Sequence, residues 1–170
     1  ETVVERAPQV ERPAIVLDID ETSLSNWPQM RANDFGYFTD GPCDALPRGP
    51  CGAHAWENAG AAPALAPTLA LYRAARAAGV TVFFVTGRGE AQREGTERNL
   101  RAAGYTAGGS VTLRPPGPRQ PTAEYKSAAR AAIQAQGYVI IANLGDQPND
   151  LEGGRAERGY LIPNPFYAVP

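Results

Sequence analysis

The chain has 170 residues, 43% of them apolar and 20% charged, with a formal net charge of −2. That length holds one domain with a core of its own, and the composition is that of a soluble globular protein. The near-neutral charge gives no electrostatic footing for nucleic acid or an anionic membrane, and no apolar run approaches the roughly 20 residues of a membrane span.

No signal peptide is visible, and the chain starts at Glu1 rather than Met, as a processed or trimmed chain would. The first clear element is "AIVLDID", residues 14–20, a continuous apolar run of the kind that forms a strand buried on both faces. It ends among Asp18, Asp20 and Glu21. Burial strengthens the repulsion between such carboxylates, so either they splay into water or a positive group sits among them. Residues 24–63 show no clear long period and are too long for an ordinary connection. They carry Trp27, Phe35, Tyr37, Phe38, Trp56, the single histidine His54 and both cysteines, and read as a small cap inserted after the first strand. Cys43 and Cys51 lie in "GPCDALPRGPCG". A disulfide there would be worth roughly 2.5 kcal/mol in the chain-entropy picture and would imply an oxidising compartment. Free thiols, or a metal site with His54, are the alternatives.

Beyond the cap, strand and helix alternate. "LALYRAARAAG" (69–79) reads as a helix, with Leu65, Leu69 and Tyr72 on one face and Gly79 as its stop. "VTVFFVTG" (80–87) is a second buried strand, "AQREGTERNLRAAG" (91–104) a helix, and "SVTLR" (110–114) a short strand before the turn "PPGP". "PTAEYKSAARAAIQAQG" (121–137) is a helix with Pro121 and Thr122 at its start. "YVIIANLG" (138–145) is the next buried strand and "GYLIPN" (159–164) a last one. The order predicts an α/β fold, a three-layer parallel sheet with right-handed crossovers.

In such a sheet ligands bind beyond the carboxyl ends of the strands. Those ends carry Asp18, Asp20 and Thr22; Thr86, Gly87 and Arg88; and Asp146 and Asp150. The basic residues are 15 Arg and one Lys, which raises the question of what Arg could not do at Lys126. Placed in the first turn of its helix, Lys126 would act as a compact point charge beside a favourable dipole. Neighbouring strands are about 4.8 Å apart, close enough for Asp18 and Asp146 to share one small ion. Carboxylates without Cys or His ligands favour a hard cation such as Mg²⁺. An Asp nucleophile, a second carboxyl that moves protons, and Thr86, Gly87 and Lys126 around phosphate oxygens suit phosphoryl transfer.

In order along the chain, "DIDET", "VTGR", Lys126 in "EYKSAAR" and "GDQPNDL" resemble the four motifs of haloacid dehalogenase (HAD) superfamily phosphatases. "DIDETSLSN", "APALAPTLALYRAARAAGVTVFFVTGR", "RNLRAAGY" and "GDQPNDLEGGRAERGYLIPNPFY" narrow the resemblance to the branch of class B and class C acid phosphatases and plant vegetative storage proteins (subfamily IIIB). It covers nearly all of residues 14–167 and implies a single Rossmann-like domain over 1–170. It further implies a Mg²⁺-dependent phosphomonoesterase. Asp18 would be nucleophile and metal ligand, and Asp20 general acid/base and ligand through its backbone carbonyl. Thr86 and Lys126 would hold phosphate, and Asp146 would bind metal. Asp150 would support the metal through water or brace Lys126, and Arg88 is a candidate substrate contact. The branch is mostly secreted, periplasmic or lipoprotein-anchored. Its members usually carry a longer, partly helical segment before the first strand, where this chain has about a dozen residues.

The alternatives are a non-catalytic storage or binding protein on the same fold and a phospho-accepting receiver domain. The receiver is disfavoured because its acidic pair precedes a separate mid-chain Asp. The expected partner is a small phosphomonoester, with a nucleotide or aryl phosphate suggested by the cap aromatics. Those rings could equally be the cap's own core, and His54 is a weaker candidate contact.

Overall fold

Strand β1 (Pro13–Leu17) is buried throughout its last four residues, and its two faces enter different layers. Ile15 and Leu17 pack with Val82, Phe84, Tyr72, Ala75, Leu100 and Tyr105. Ala14 and Val16 pack with Phe83, Val85, Tyr125, Ala129 and Ile133. Each such side chain contributes about 1.5–3 kcal/mol when fully buried, so a strand without polar alternation is stable only between two helical layers.

The computed structural model describes residues 2–106, 108–118 and 120–169. Besides β1, its sheet contains β2 (Thr81–Gly89), β3 (Val111–Arg114), β4 (Val139–Gly145) and β5 (Gly159–Leu161). All pairs are parallel, in the order β3-β2-β1-β4-β5. The helices are α1 (Thr2–Arg6), α2 (Trp27–Ala32), α3 (Ala53–Ala59), α4 (Ala66–Ala77), α5 (Arg93–Ala102), α6 (Thr122–Ala135) and α7 (Pro148–Leu151). α4 and α5 supply Tyr72, Ala75 and Leu100 to one face of the sheet, and α6 supplies Tyr125, Ala129 and Ile133 to the other. This is the three-layer α/β fold expected from the strand–helix alternation. No described helix is long and apolar enough to cross a membrane.

Several boundaries differ from the sequence expectation. β1 stops at Leu17, before Asp18, because the chain turns at once: Ile19 O accepts the N–H groups of Thr22, Ser23 and Leu24. Asp18 N–H still donates to Leu144 O at 2.9 Å, which carries the acid to the sheet edge. α6 begins at Thr122, so Lys126 is its fifth residue and starts the second turn rather than lying in the first. The helix dipole is therefore a lesser support for Lys126 than its carboxylate partners.

The segment between β1 and α4 holds α2 and α3 around irregular chain. Its two ends lie side by side through the antiparallel bridge Leu24↔Ala64 and the hydrogen bond from Ser25 N to Pro63 O. Cys43 and Cys51 are joined as a disulfide, which removes the free-thiol and metal alternatives. Asn33 clasps Cys51, accepting its N–H and donating to its O, both at 2.8 Å. The aromatic residues divide. Trp56 is core, 3% exposed, and donates Nε1–H to Asn26. Trp27, Phe35, Tyr37 and Phe38 are 40%, 59%, 76% and 47% exposed, so they are not a cap core.

Candidate active site

β1 is the central strand, with β2 and β4 on either side. Because all three run the same way, their carboxyl ends bring Asp18, Gly87, Arg88 and Asp146 to one edge. α6 adds Lys126 and α7 adds Asp150. These residues line a cleft of about 720 Å³, the size of a small-molecule site.

The floor is an ionic cluster. Lys126 Nζ donates to Asp18 Oδ1 at 2.6 Å and to Asp150 Oδ1. One carboxylate oxygen from each of Asp18, Asp146 and Asp150 lies within 4.8 Å of the others. All four residues are buried. Burial pushes the Asp18 carboxyl well up; Lys126 opposes the shift, and Asp150, Asp20 and Asp146 add to it. Burial works against the Lys126 ammonium too, but Asp18 and Asp150 outweigh it and keep Lys126 charged. One cation against three carboxylates leaves the floor short of positive charge. The all-oxygen donor set fits a hard divalent cation.

Local structure fixes the fourth-motif loop. Asp150 Oδ2 accepts Gln147 N–H at 2.9 Å, capping α7, while its Oδ1 faces Lys126. Both Asp150 oxygens are thus engaged by protein, which suits bracing Lys126 better than direct ligation. A Cβ on Gly145 would come within 2.3 Å of Asp150, so only glycine lets the loop fold back this far. Arg130, fully buried, holds the loop backbone by donating to the carbonyls of Asp150, Glu152 and Gly154.

Asp20 is in a different electrostatic state from Asp18. Arg88 Nη2 and Nε donate to Asp20 Oδ1 at 2.7 and 3.1 Å, and Asn26 Nδ2 donates to the same oxygen at 2.8 Å. Burial is the largest influence and acts upward, but the Arg88 charge and these hydrogen bonds together hold the carboxyl below its usual range. Arg88 also reaches Thr96 Oγ1 at 3.2 Å. Offered by the sequence as a substrate contact, Arg88 instead spends its guanidinium on Asp20 and Thr96. Thr86 is fully buried and does not itself line the cleft; its hydroxyl accepts Arg88 N–H at 3.1 Å and lies 3.5 Å from Asp20, which does. Gly87 faces open space, where a Cβ would meet nothing within 4 Å.

Other residues also reach the site, and of these Glu57, Phe166 and Tyr167 carried no signal of their own in the sequence. Glu21 adopts a positive φ of 50° and is buried; it accepts Asn26 N–H at 2.6 Å and Tyr167 Oη–H at 2.9 Å. Thr22 Oγ1 contacts Asp146 Oδ1 at 3.4 Å. Glu57 lines the cleft from α3, its carboxyl pushed up to about 7 by burial and by Asp20, against Arg88 and His54. His54 also lines it, paired with Asp40 at 2.9 Å. Phe35, Tyr37 and Phe166 form the outer rim.

Comparison with known proteins gives a consistent picture. The model of the HAD superfamily, subfamily IIIB (acid phosphatase), matches residues 2–170. Acid phosphatase 1 of Solanum lycopersicum is 36% identical over 162 residues, covering 93% of this chain and 60% of that protein. Stem 28 kDa glycoprotein of Glycine max is 37% identical over 164 residues, covering 93% of this chain and 61% of that protein. The chain thus spans about 60% of the length of these curated relatives. Among solved structures, the class C acid phosphatase from Bacillus anthracis with tungstate bound superposes with a TM-score of 0.69 at 22% identity. That match covers 96% of this chain and 72% of the other, a likeness of fold.

Proposed function

The chain belongs to the HAD superfamily, subfamily IIIB, the acid phosphatase family, and from that premise we propose that it is a Mg²⁺-dependent phosphomonoesterase working through an aspartyl-phosphate on Asp18. The observation that carries this reading is the floor itself: three buried carboxylates gathered around one lysine at the carboxyl edge of the sheet.

Asp18 and Asp146 would hold the cation by their side chains and Asp20 by its backbone carbonyl, with Asp150 acting through water and through Lys126. When bound, Mg²⁺ reduces the repulsion between Asp18 and the phosphate and polarises a phosphoryl oxygen. A carboxylate oxygen of Asp18 forms a bond to phosphorus as the bond to the leaving oxygen breaks. Asp20, whose carboxyl is pushed up by burial but held below its usual range by Arg88, must first take up a proton and then gives it to that oxygen. Asp20 then takes a proton from water, the water oxygen bonds to phosphorus, and the Asp18–phosphorus bond breaks to release phosphate. Lys126 and the open backbone at Gly87 receive phosphate oxygens. Thr86 serves the same end indirectly, by fixing Arg88 and Asp20. Arg88 holds Asp20 where it can reach the leaving oxygen.

Residues 24–63 act as a cap within one domain over 1–170, and the rim of Phe35, Tyr37 and Phe166 receives the leaving group of a nucleotide or aryl phosphate. The disulfide supports a secreted or periplasmic location. A panel of phosphomonoesters, nucleotides included, should be turned over with Mg²⁺ and not after EDTA. Normal turnover by Asp18→Asn contradicts the reading. The 32% identity over 156 residues to vegetative storage protein 1 of Arabidopsis thaliana keeps a non-catalytic storage role as the second reading, and that role predicts no turnover across the panel.

A further inference from the structure

β5 pairs with the end of β4 through Gly145↔Leu161, and Ile162 N–H donates to Gly145 O at 2.8 Å. This register carries the following residues alongside Asp146. There the sequence reads Pro163, Asn164, Pro165. A following proline confines Asn164 to extended backbone, and the two prolines limit what the unfolded chain can sample, so the side chain is delivered at low entropic cost.

Asn164 Oδ1 accepts Phe166 N–H at 2.9 Å and Tyr167 N–H at 3.4 Å. Backbone N–H groups only donate, so these contacts fix which way the amide faces. Its Nδ2 is therefore aimed at Asp146, donating to Oδ2 at 2.7 Å. Gln147 Nε2 donates to the same oxygen. Among the described residues Oδ1 has one long contact, to Thr22 at 3.4 Å, and so keeps lone pairs to spare.

The rest of segment 164–169 is tied to three other parts of the site. Tyr167 Oη–H donates to Glu21 at 2.9 Å. Val169 N–H donates to Gln147 Oε1 at 2.8 Å. The Phe166 ring lies 5.4 Å from the Trp27 ring.

We infer that Asn164, carried on the strap 164–169, is a positioning residue for Asp146, pinning one carboxylate oxygen so that the other faces the cation. The inference rests on Asp146 being a cation ligand, as proposed above. A strap that merely sealed the cleft would stabilise the fold without setting metal affinity.

The test is direct metal binding by the whole chain. Free Mn²⁺ is followed by electron paramagnetic resonance, with the Mg²⁺-induced rise in Tm as a second readout. Asn164→Ala should raise the Mn²⁺ Kd by about 10–100-fold, the usual cost of losing a partner that orients a ligand. Asn164→Leu, which fills the space without the donor, should show the same loss even if one of the two variants folds poorly. Tyr167→Phe breaks the strap at Glu21 but leaves Asp146 untouched, and should change Kd by no more than about twofold. Unchanged Kd in both Asn164 variants overturns the inference, as does an equal loss in Tyr167→Phe. If the unmodified protein binds metal while the Asn164 variants match it, only this inference fails. If the unmodified protein binds no metal, the functional reading fails with it.

Discussion

The floor and the rim of the cleft are built on opposite plans. On the floor, Asp18, Lys126, Asp146 and Asp150 are 3–6% exposed, and each has a hydrogen-bonded partner. On the rim, Phe35 and Tyr37 are 59% and 76% exposed. The floor stores stability in charge pairs that fail together when one partner is lost. The rim leaves apolar surface in water, where the leaving group proposed above would cover it. Chemistry should therefore be sensitive to floor substitutions in both rate and stability, and rim substitutions should alter substrate choice alone.

The sharpest way to break this contrast is Lys126→Met. It strands Asp18 and Asp150 in a buried site and should lower unfolding free energy by about 3–5 kcal/mol in a urea melt. Activity should fall by roughly 10³-fold or more, as when one member of a catalytic unit is removed. Next is Arg88→Gln. Asp20 is 25% exposed, so the stability loss should be smaller, about 2–4 kcal/mol. Loss of a placed proton donor should still cost about 10²–10⁴-fold in kcat. Reducing the Cys43–Cys51 disulfide should cost about 2–3 kcal/mol, read as a Tm shift with and without reductant.

Glu57 sits between the two regions and gives the pH test. Its carboxyl is raised from 4.5 to about 7, so the folded state binds this proton more tightly than the unfolded chain. Its contribution to stability is present below pH 4.5 and is lost as pH rises through about 7. Glu57→Gln should therefore flatten that fall, with the largest gain above pH 7, on the order of 1–2 kcal/mol after allowing for partial exposure. The smallest effect belongs to Tyr37→Ala. Stability should move by less than about 0.5 kcal/mol. KM for an aryl phosphate should rise about 2–10-fold with kcat unchanged, the loss of one exposed ring contact. A large stability loss there would erase the distinction between rim and floor.

The same contrast explains what could be read from sequence. Asp18, Gly87 and Asp146 were legible because parallel strands bring their carboxyl ends to one edge, and apolar runs mark where strands end; Asp150 follows Asp146 in the same loop. Lys126 was singled out by composition. The directions of Thr86 and Arg88 were not legible, since nothing in "VTGR" says that Asp20 will claim both. Asn26, Asn164 and Tyr167 enter from irregular chain, where no period fixes which way a side chain points, and Glu57 enters from α3, a helix too short to show a period. The one local signal was an asparagine between two prolines just after the last strand, a restrained polar group close to Asp146. The early end of β1 was hidden for a related reason: Ile19 continues the apolar pattern although its carbonyl already closes a turn.

The central claim is that Asp18 carries the phosphoryl group. The most direct measurement is acid quenching during turnover of an aryl phosphate with Mg²⁺, followed by mass spectrometry of the peptide containing Asp18. A phosphoryl adduct on that peptide, absent in Asp18→Asn and lost on chase, is the predicted result. Steady turnover with no adduct, or undiminished turnover by Asp18→Asn, would contradict the account.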